Sequence, residues 1–184
     1  VVQGARVESV GRVLQDVDWK TLLFIVLLFT LLDAFNRTGV LQNLSGILHA
    51  SLGTQLLAVA LVLLFGVAAA STLLANIPVV AAMLLLVKGY LVIAGLVPEL
   101  ALDPTYTDWP AETLPLFIAL MFGGTLGGNA TLIGAAANVV SVGICAAHGR
   151  PVTFLGFMRF GVPVVLVQLA VAALYVVGLH LLSR

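Results

Sequence analysis

Charge is the scarcest property of this chain: only 9% of its 184 residues are Asp, Glu, Lys or Arg, and eight basic residues cancel eight acidic ones. That balance leaves no basic stripe for a phosphate backbone and argues against nucleic-acid binding. Cysteine is almost missing as well. The single one, Cys145, cannot form an intrachain disulfide and has no Cys or His neighbour at metal-ligand spacing, so it reads as a small packing residue. Methionine is absent before Met83, and no charged segment followed by a short apolar run marks a signal peptide, so the chain is expected to be a piece of a longer protein. Neither a carboxylate pair nor a nucleophile triad stands out, and an enzyme is not expected.

What is abundant is apolar sequence. Hydrophobic residues make up 61% of the chain and the mean hydropathy is +1.19. Soluble domains are about half apolar and a quarter charged, and a chain of this size could not hide so much apolar surface from water. Several windows reach the roughly 20 apolar residues that cross a hydrocarbon core. The fold class expected is therefore an all-α, polytopic membrane protein.

Residues 1–18 carry Arg6, Glu8, Arg12, Asp16 and Asp18 among scattered valines and read as a solvent-facing linker; residues 19–184 form the membrane unit. A first membrane helix is expected from Trp19 to Ala34, with Trp19 and Lys20 at the interface, ending at Asp33, Asn36, Arg37 and Gly39. Asp33 and Arg37, four apart, can pair. From Val40 to Leu52 the apolar residues recur at helical spacing against Gln42, Asn43, Ser45 and His49, an amphipathic helix suited to the interface. Apolar runs follow from Thr54 to Leu74 and from Val79 to Val97, then a polar loop from Pro98 to Glu112. A further run from Leu114 to Phe122 leads into the glycine-rich segment. After Gly149-Arg150-Pro151 an amphipathic lead, Phe154 to Phe160, precedes a last span over Val162–Leu182. Lys88, inside an apolar run, is expected to snorkel to the interface. His49, His148 and His180 fall near expected helix ends.

Two junctions are informative. At Ala75-Asn76-Ile77-Pro78 the proline removes a backbone donor and disfavours helix before it, so the helix should open around Asn76. At Gly123-Gly124-Thr125-Leu126-Gly127-Gly128, four glycines in six residues each cost a helix about 1 kcal/mol relative to alanine, and a broken helix is expected. Opened backbone at membrane depth is tolerated only inside protein or beside a water-filled cavity, and half-helix ends there present partial charges to an ion or an anionic group. Asn76, Thr125, Asn129, Thr131 and Asn138 add neutral donors and acceptors. The plainer reading is packing, for which Gly124 and Gly128 have the small-xxx-small spacing.

The segment Leu126-Gly-Gly-Asn-Ala-Thr-Leu-Ile-Gly-Ala-Ala-Ala-Asn-Val-Val140, with His148-Gly149 and the Phe154–Pro163 stretch, resembles the carboxyl-terminal half of the ion transporter superfamily that includes arsenical-pump, citrate-transporter-like and melanosomal P protein members. Leu73-Leu-Ala-Asn-Ile-Pro-Val-Val-Ala81 is similar to its Asp-Asn-Ile-Pro element, and Asp18-Trp-Lys-Thr-Leu-Leu-Phe24 to the start of the preceding helix. The resemblance implies two inverted repeats, each with a re-entrant or interrupted element and a broken helix, of which this chain is the second. It implies a hairpin tip at Asn76 and Pro78 opposed by an unwound segment from Gly127 to Asn138, which includes Gly128, Asn129, Thr131 and Gly134. Ala75 departs from the pattern, standing where relatives often carry an acidic residue.

The expectation is a secondary transporter moving an anion, oxyanion or carboxylate with Na⁺ or H⁺, with Na⁺ at Asn76 and Asn138 as the candidate coupling ion and no other metal or cofactor. Its partners would be the bilayer, the missing first repeat, a small anionic substrate and a second copy in a homodimer, in a bacterial plasma membrane. An anion channel, an arsenite-type permease and a non-transporting membrane scaffold are the alternatives.

Overall fold

The computed structural model describes residues 37–183 together with Trp19, Leu23, Val26, Leu27, Thr30, Asp33 and Ala34. The linker expected over residues 1–18, and Lys20 and Asn36 of the expected first membrane helix, lie outside the described residues. The seven isolated residues are helical, as is Arg37. Arg37 Nε donates to Asp33 Oδ2 at 2.6 Å, the expected pair, with both side chains more than half exposed, where such pairs contribute little. Gly39 then turns the chain at φ +77°, a region that favours glycine.

Six helices follow: α1 over Val40–Leu52, α2 over Leu56–Leu73, α3 over Asn76–Ile93, α4 over Leu114–Gly127, α5 over Ala136–Ala147 and α6 over Phe154–Leu182. Short 3-10 turns occupy Glu99–Leu102, Ala111–Thr113 and Gly128–Ala130. Among the described residues four stretches are long and apolar enough to cross a membrane: Leu56–Leu73, Asn76–Ile93, Ala111–Ala130 and Phe154–Leu182. No strand occurs among the described residues. The protein is an all-α, polytopic membrane protein.

α2 is the centre of the packing. Val59, Leu63, Leu64 and Val67 are buried against Leu116 and Leu120 of α4, Val87 and Leu91 of α3, and Leu169 and Val176 of α6. The α2–α4 contact is a backbone-to-backbone approach permitted by glycine. A Cβ on Gly123 would lie 2.6 Å from the Leu64 carbonyl oxygen, and one on Gly127 would lie 2.6 Å from the Ala68 Cα. This is why α4 runs unbroken through Gly123 and Gly124: the propensity lost at each glycine is offset by packing that no larger residue allows. The break therefore comes later than the first glycines, after Gly127.

α1 is fastened to α3 rather than only lying at the interface. Ser45 is fully buried, and its hydroxyl oxygen lies 2.8 Å from the Leu41 carbonyl and 2.9 Å from the Leu86 carbonyl; Gly89 makes room for it. Tyr90 donates to the Gly53 carbonyl at 2.8 Å. Lys88 snorkels as expected: its Nζ donates to the Asp103 carbonyl at 3.3 Å and sits 5.4 Å from the Trp109 ring centroid.

Two expectations are corrected. The lead over Phe154–Phe160 and the last span form one continuous helix, α6, capped by Thr153, whose hydroxyl accepts the Gly156 amide at 3.1 Å. Pro163 lies within it and removes one backbone donor, yet Gly161 just before it packs flush on the Asn129 and Ala130 carbonyls, where a Cβ would come within 2.8 Å. That contact keeps α6 in register through the proline. Cys145 is not a packing residue among the described ones; it is exposed on α5, no residue of which is buried.

Candidate functional site

Two breaks in the helical ladder meet at one end of α2. The first is the pair Leu74 and Ala75, both extended, between α2 and α3. Asn76 is the first residue of α3 and Pro78 sits two residues on, in the opening turn, where its missing amide would have been unpaired anyway. The second break spans the 3-10 turn Gly128–Ala130 and the irregular residues 131–135, between α4 and α5.

The second break is tied by side chains. Thr131 is buried; its hydroxyl donates to the Thr72 carbonyl and accepts the Gly134 amide at 3.1 Å. Asn138, in the first turn of α5, donates from Nδ2 to the Gly128 carbonyl at 3.1 Å and to the Thr131 carbonyl at 2.9 Å. Ser71, fully buried on α2, donates to the Gly124 carbonyl at 2.6 Å. Gly128 and Gly134 face each other so closely that a Cβ on Gly134 would lie 2.5 Å from the Gly128 oxygen and 2.9 Å from that of Ser71. The result is a small folded loop in which Asn138 satisfies the Gly128 and Thr131 carbonyls and the Thr131 hydroxyl pairs the Gly134 amide and the Thr72 carbonyl of α2, where helical partners are missing, as buried backbone at membrane depth requires.

Of the residues expected at the site, Gly127, Gly128, Thr131, Gly134 and Asn138 are thus brought together. Asn76 is not joined to them: its Oδ1 accepts the neighbouring Ile77 amide at 2.9 Å, and it makes no hydrogen bond with the broken-helix segment. Thr125 on α4 and Asn129 in the 3-10 turn that follows it are exposed, four residues apart, whereas Gly123, Gly124, Gly127 and Gly128 are buried. Their side chains make no hydrogen bond among the described residues, and they form an open seam with Met121, which is 58% exposed. Ser71, Thr72 and Gly161 are contributors that sequence reasoning missed. The signal for the first two was a Ser-Thr pair at the end of an otherwise purely apolar run.

No charged side chain takes part in these contacts. Among the described residues no group of three His, Cys, Asp or Glu could hold a metal ion, so a cation here would rest on carbonyl, amide and hydroxyl oxygens. α4 ends and α5 begins at the loop, so partial negative and partial positive helix ends face it together. α5 starts without a side-chain cap, which leaves amides for an anionic group.

A family model described as citrate transporter, CitMHS, matches residues 1–108. An uncharacterized transporter of Synechocystis is 44% identical over 176 residues, 95% of this chain and 39% of that protein. An uncharacterized transporter of Mycobacterium bovis is 38% identical over 162 residues, 88% of this chain and 35% of that protein. Human P protein is 37% identical over 173 residues, 91% of this chain and 19% of that protein. The chain thus spans about two fifths or less of these relatives, and no solved structure matches it. With more than half its length matched by that model, the chain belongs to the CitMHS citrate transporter family.

Proposed function

We propose that this chain is the second repeat of an ion-coupled secondary transporter for a small anion of the carboxylate or oxyanion class. The observation that carries the reading is the folded loop between α4 and α5, whose carbonyls are held by Asn138 and whose Thr131 hydroxyl ties it to the end of α2. A loop built for packing alone would have no need of an adjoining seam of unpaired polar side chains. Here Thr125, Asn129, the Asn138 Oδ1 and the Asn76 Nδ2 all have hydrogen-bonding capacity unused among the described residues. In this reading the seam faces the first repeat, which supplies the remaining ligands, and Na⁺ sits on the carbonyl ends near Asn76 and Asn138 while the anion takes the open amides of α5. Movement of this half against its partner repeat would expose the site to each side in turn. A homodimer completes the proposal, in a bacterial plasma membrane, a location in keeping with bacterial relatives named as transporters.

The test is flux in proteoliposomes holding the full-length protein, challenged in turn with citrate, succinate, arsenite and chloride, with and without a sodium gradient. A current that needs both sodium and one anion is the expected result. The double variant Asn76→Ala with Asn138→Ala should abolish it. Unchanged flux in that variant would overturn the site assignment, and sodium-independent anion current at rates far above transporter turnover would replace the transporter with a channel.

A further inference from the structure

At the opposite end of α2 from the helical breaks lies a cavity of about 640 Å³ whose lining includes a carboxylate and an imidazole. Its walls include Thr54 and Gln55 before α2, Leu57 and Ala58 in its first turn, Glu112 ahead of α4 and His180 near the end of α6. His180 is only 5% exposed, and neither of its ring nitrogens has a hydrogen-bond partner. A buried imidazole left without any partner is costly, because its donor and its acceptor have both given up water. α2 adds a second set of unused donors. Gln55 provides no side-chain cap, and the Leu57 and Ala58 amides find no acceptor among the described residues, although the neighbouring Leu56 and Val59 amides do.

The cavity's position narrows what can fill it. Three of the four stretches long enough to cross a membrane, Leu56–Leu73, Ala111–Ala130 and Phe154–Leu182, begin or end here. At 1.5 Å per residue, Leu57 is about 22 Å along α2 from Thr72, so the cavity is far from the folded loop and lies where spanning helices meet the polar layer of the bilayer. An imidazole N–H and open helix amides are donors suited to a phosphate diester. Glu112, whose side chain is exposed, is an acceptor for an ammonium group beside that phosphate.

We propose that this cavity binds the headgroup of a zwitterionic phospholipid carrying a primary ammonium, with phosphate on His180 and the α2 amides and ammonium on Glu112. The inference rests on the helices being membrane-embedded and is independent of whether the protein transports an anion. It explains why an uncompensated histidine and a carboxylate share one cavity at the end of three spans. It also sets a selectivity order. Phosphatidylethanolamine satisfies both ends, phosphatidylcholine offers Glu112 no N–H donor, and phosphatidylglycerol offers it no cation.

The experiment is native mass spectrometry of the full-length protein taken from bilayers of equal parts phosphatidylethanolamine, phosphatidylcholine and phosphatidylglycerol. The wild type is expected to retain phosphatidylethanolamine over either competitor by about tenfold or more, the scale of one charge-assisted hydrogen bond. His180→Ala should lower that retention about tenfold, and His180→Gln, which restores a donor of similar reach, should recover part of it. Glu112→Gln is the decisive variant, since an exposed residue can be changed without loss of the fold: it should keep total phospholipid retention and erase the preference over phosphatidylglycerol. Equal retention of the three lipids by the wild type, or an unchanged preference in Glu112→Gln, overturns the proposal. Displacement of the lipid by an equal concentration of soluble glycerophosphoethanolamine also overturns it, because the site would then read a free molecule.

Discussion

Gly127→Ala is the sharpest test of how α2 and α4 are held together. Gly127 has ordinary helical angles, φ −57° and ψ −38°, so alanine meets no backbone strain there and should gain up to about 1 kcal/mol of helix propensity. The structure predicts the opposite sign. The added Cβ would lie 2.6 Å from the Ala68 Cα and 2.8 Å from its carbonyl carbon, against ordinary contact from 3.4 Å, and backbone atoms cannot rotate away. The Ala68 carbonyl oxygen is closer still, so the helices must part by about 1 Å at this point, and overpacking that forces backbone shifts typically costs about 1–3 kcal/mol. Set against the propensity gain, a net loss of roughly 1 kcal/mol is expected. The control is Gly66→Ala on α2, where an added Cβ meets nothing within 4 Å and the propensity gain should appear alone. Unfolding of the full-length protein in mixed micelles with increasing dodecyl sulfate, followed by circular dichroism, measures both. Equal or greater stability of Gly127→Ala would refute the close backbone approach.

Further perturbations address other contacts. Asn138→Ala strands the Gly128 and Thr131 carbonyls and should destabilise the chain by about 1–2 kcal/mol on the scale of membrane hydrogen bonds, read in the same unfolding assay. Thr131→Val keeps the shape but removes the hydroxyl shared by Thr72 and Gly134, and should lower transport more than it lowers stability, as a comparison of flux with unfolding would reveal. Ser45→Ala, which removes the buried hydroxyl between α1 and α3, should lose about 1 kcal/mol and loosen α1, visible as faster proteolysis near Gly53. In the loop outside the spans, the Thr105 hydroxyl and amide hold the Asp103 carboxyl below its ordinary value. A depressed folded value gives stability that is present above the unfolded value and lost as pH falls through the folded one, so any contribution of Asp103 fades only in acid. Thr105→Ala should raise the Asp103 titration midpoint, as followed by carboxyl NMR.

Composition and the run of apolar windows made the class of fold and most helix positions legible, because the bilayer admits so few backbone arrangements. The Asn76 opening was legible for the same reason: a proline states its own backbone constraint. The end of α4 was not, since a glycine that weakens a helix and a glycine that admits a neighbouring helix look identical until the neighbour is known. Gly123 and Gly124 are of the second kind, while Gly128 and Gly134 serve the loop. Continuity of α6 through Pro163 likewise depended on the Asn129 and Ala130 carbonyls resting on Gly161, a contact 31–32 residues away in sequence. At the site, Thr131 and Asn138 were readable as polar residues in an apolar setting. Ser71 was hidden because hydroxyls in a membrane helix usually bond back to their own turn, as that of Thr72 does to the Ala69 carbonyl, and Thr72 joins the site only through its backbone carbonyl.

The loop between α4 and α5 gets its order from two side chains rather than from a continuous ladder of backbone bonds, and this gives it an opening equilibrium of its own. Its amides should exchange with deuterium by a local route, faster than those of α2 or α4 and without unfolding of either. Removing the Thr131 hydroxyl would then release the Gly134 amide first. Any ion or anion that settles on these carbonyls and amides would slow that exchange, so isotope uptake across residues 128–135 can report ligand binding on a chain that has no chromophore at the site.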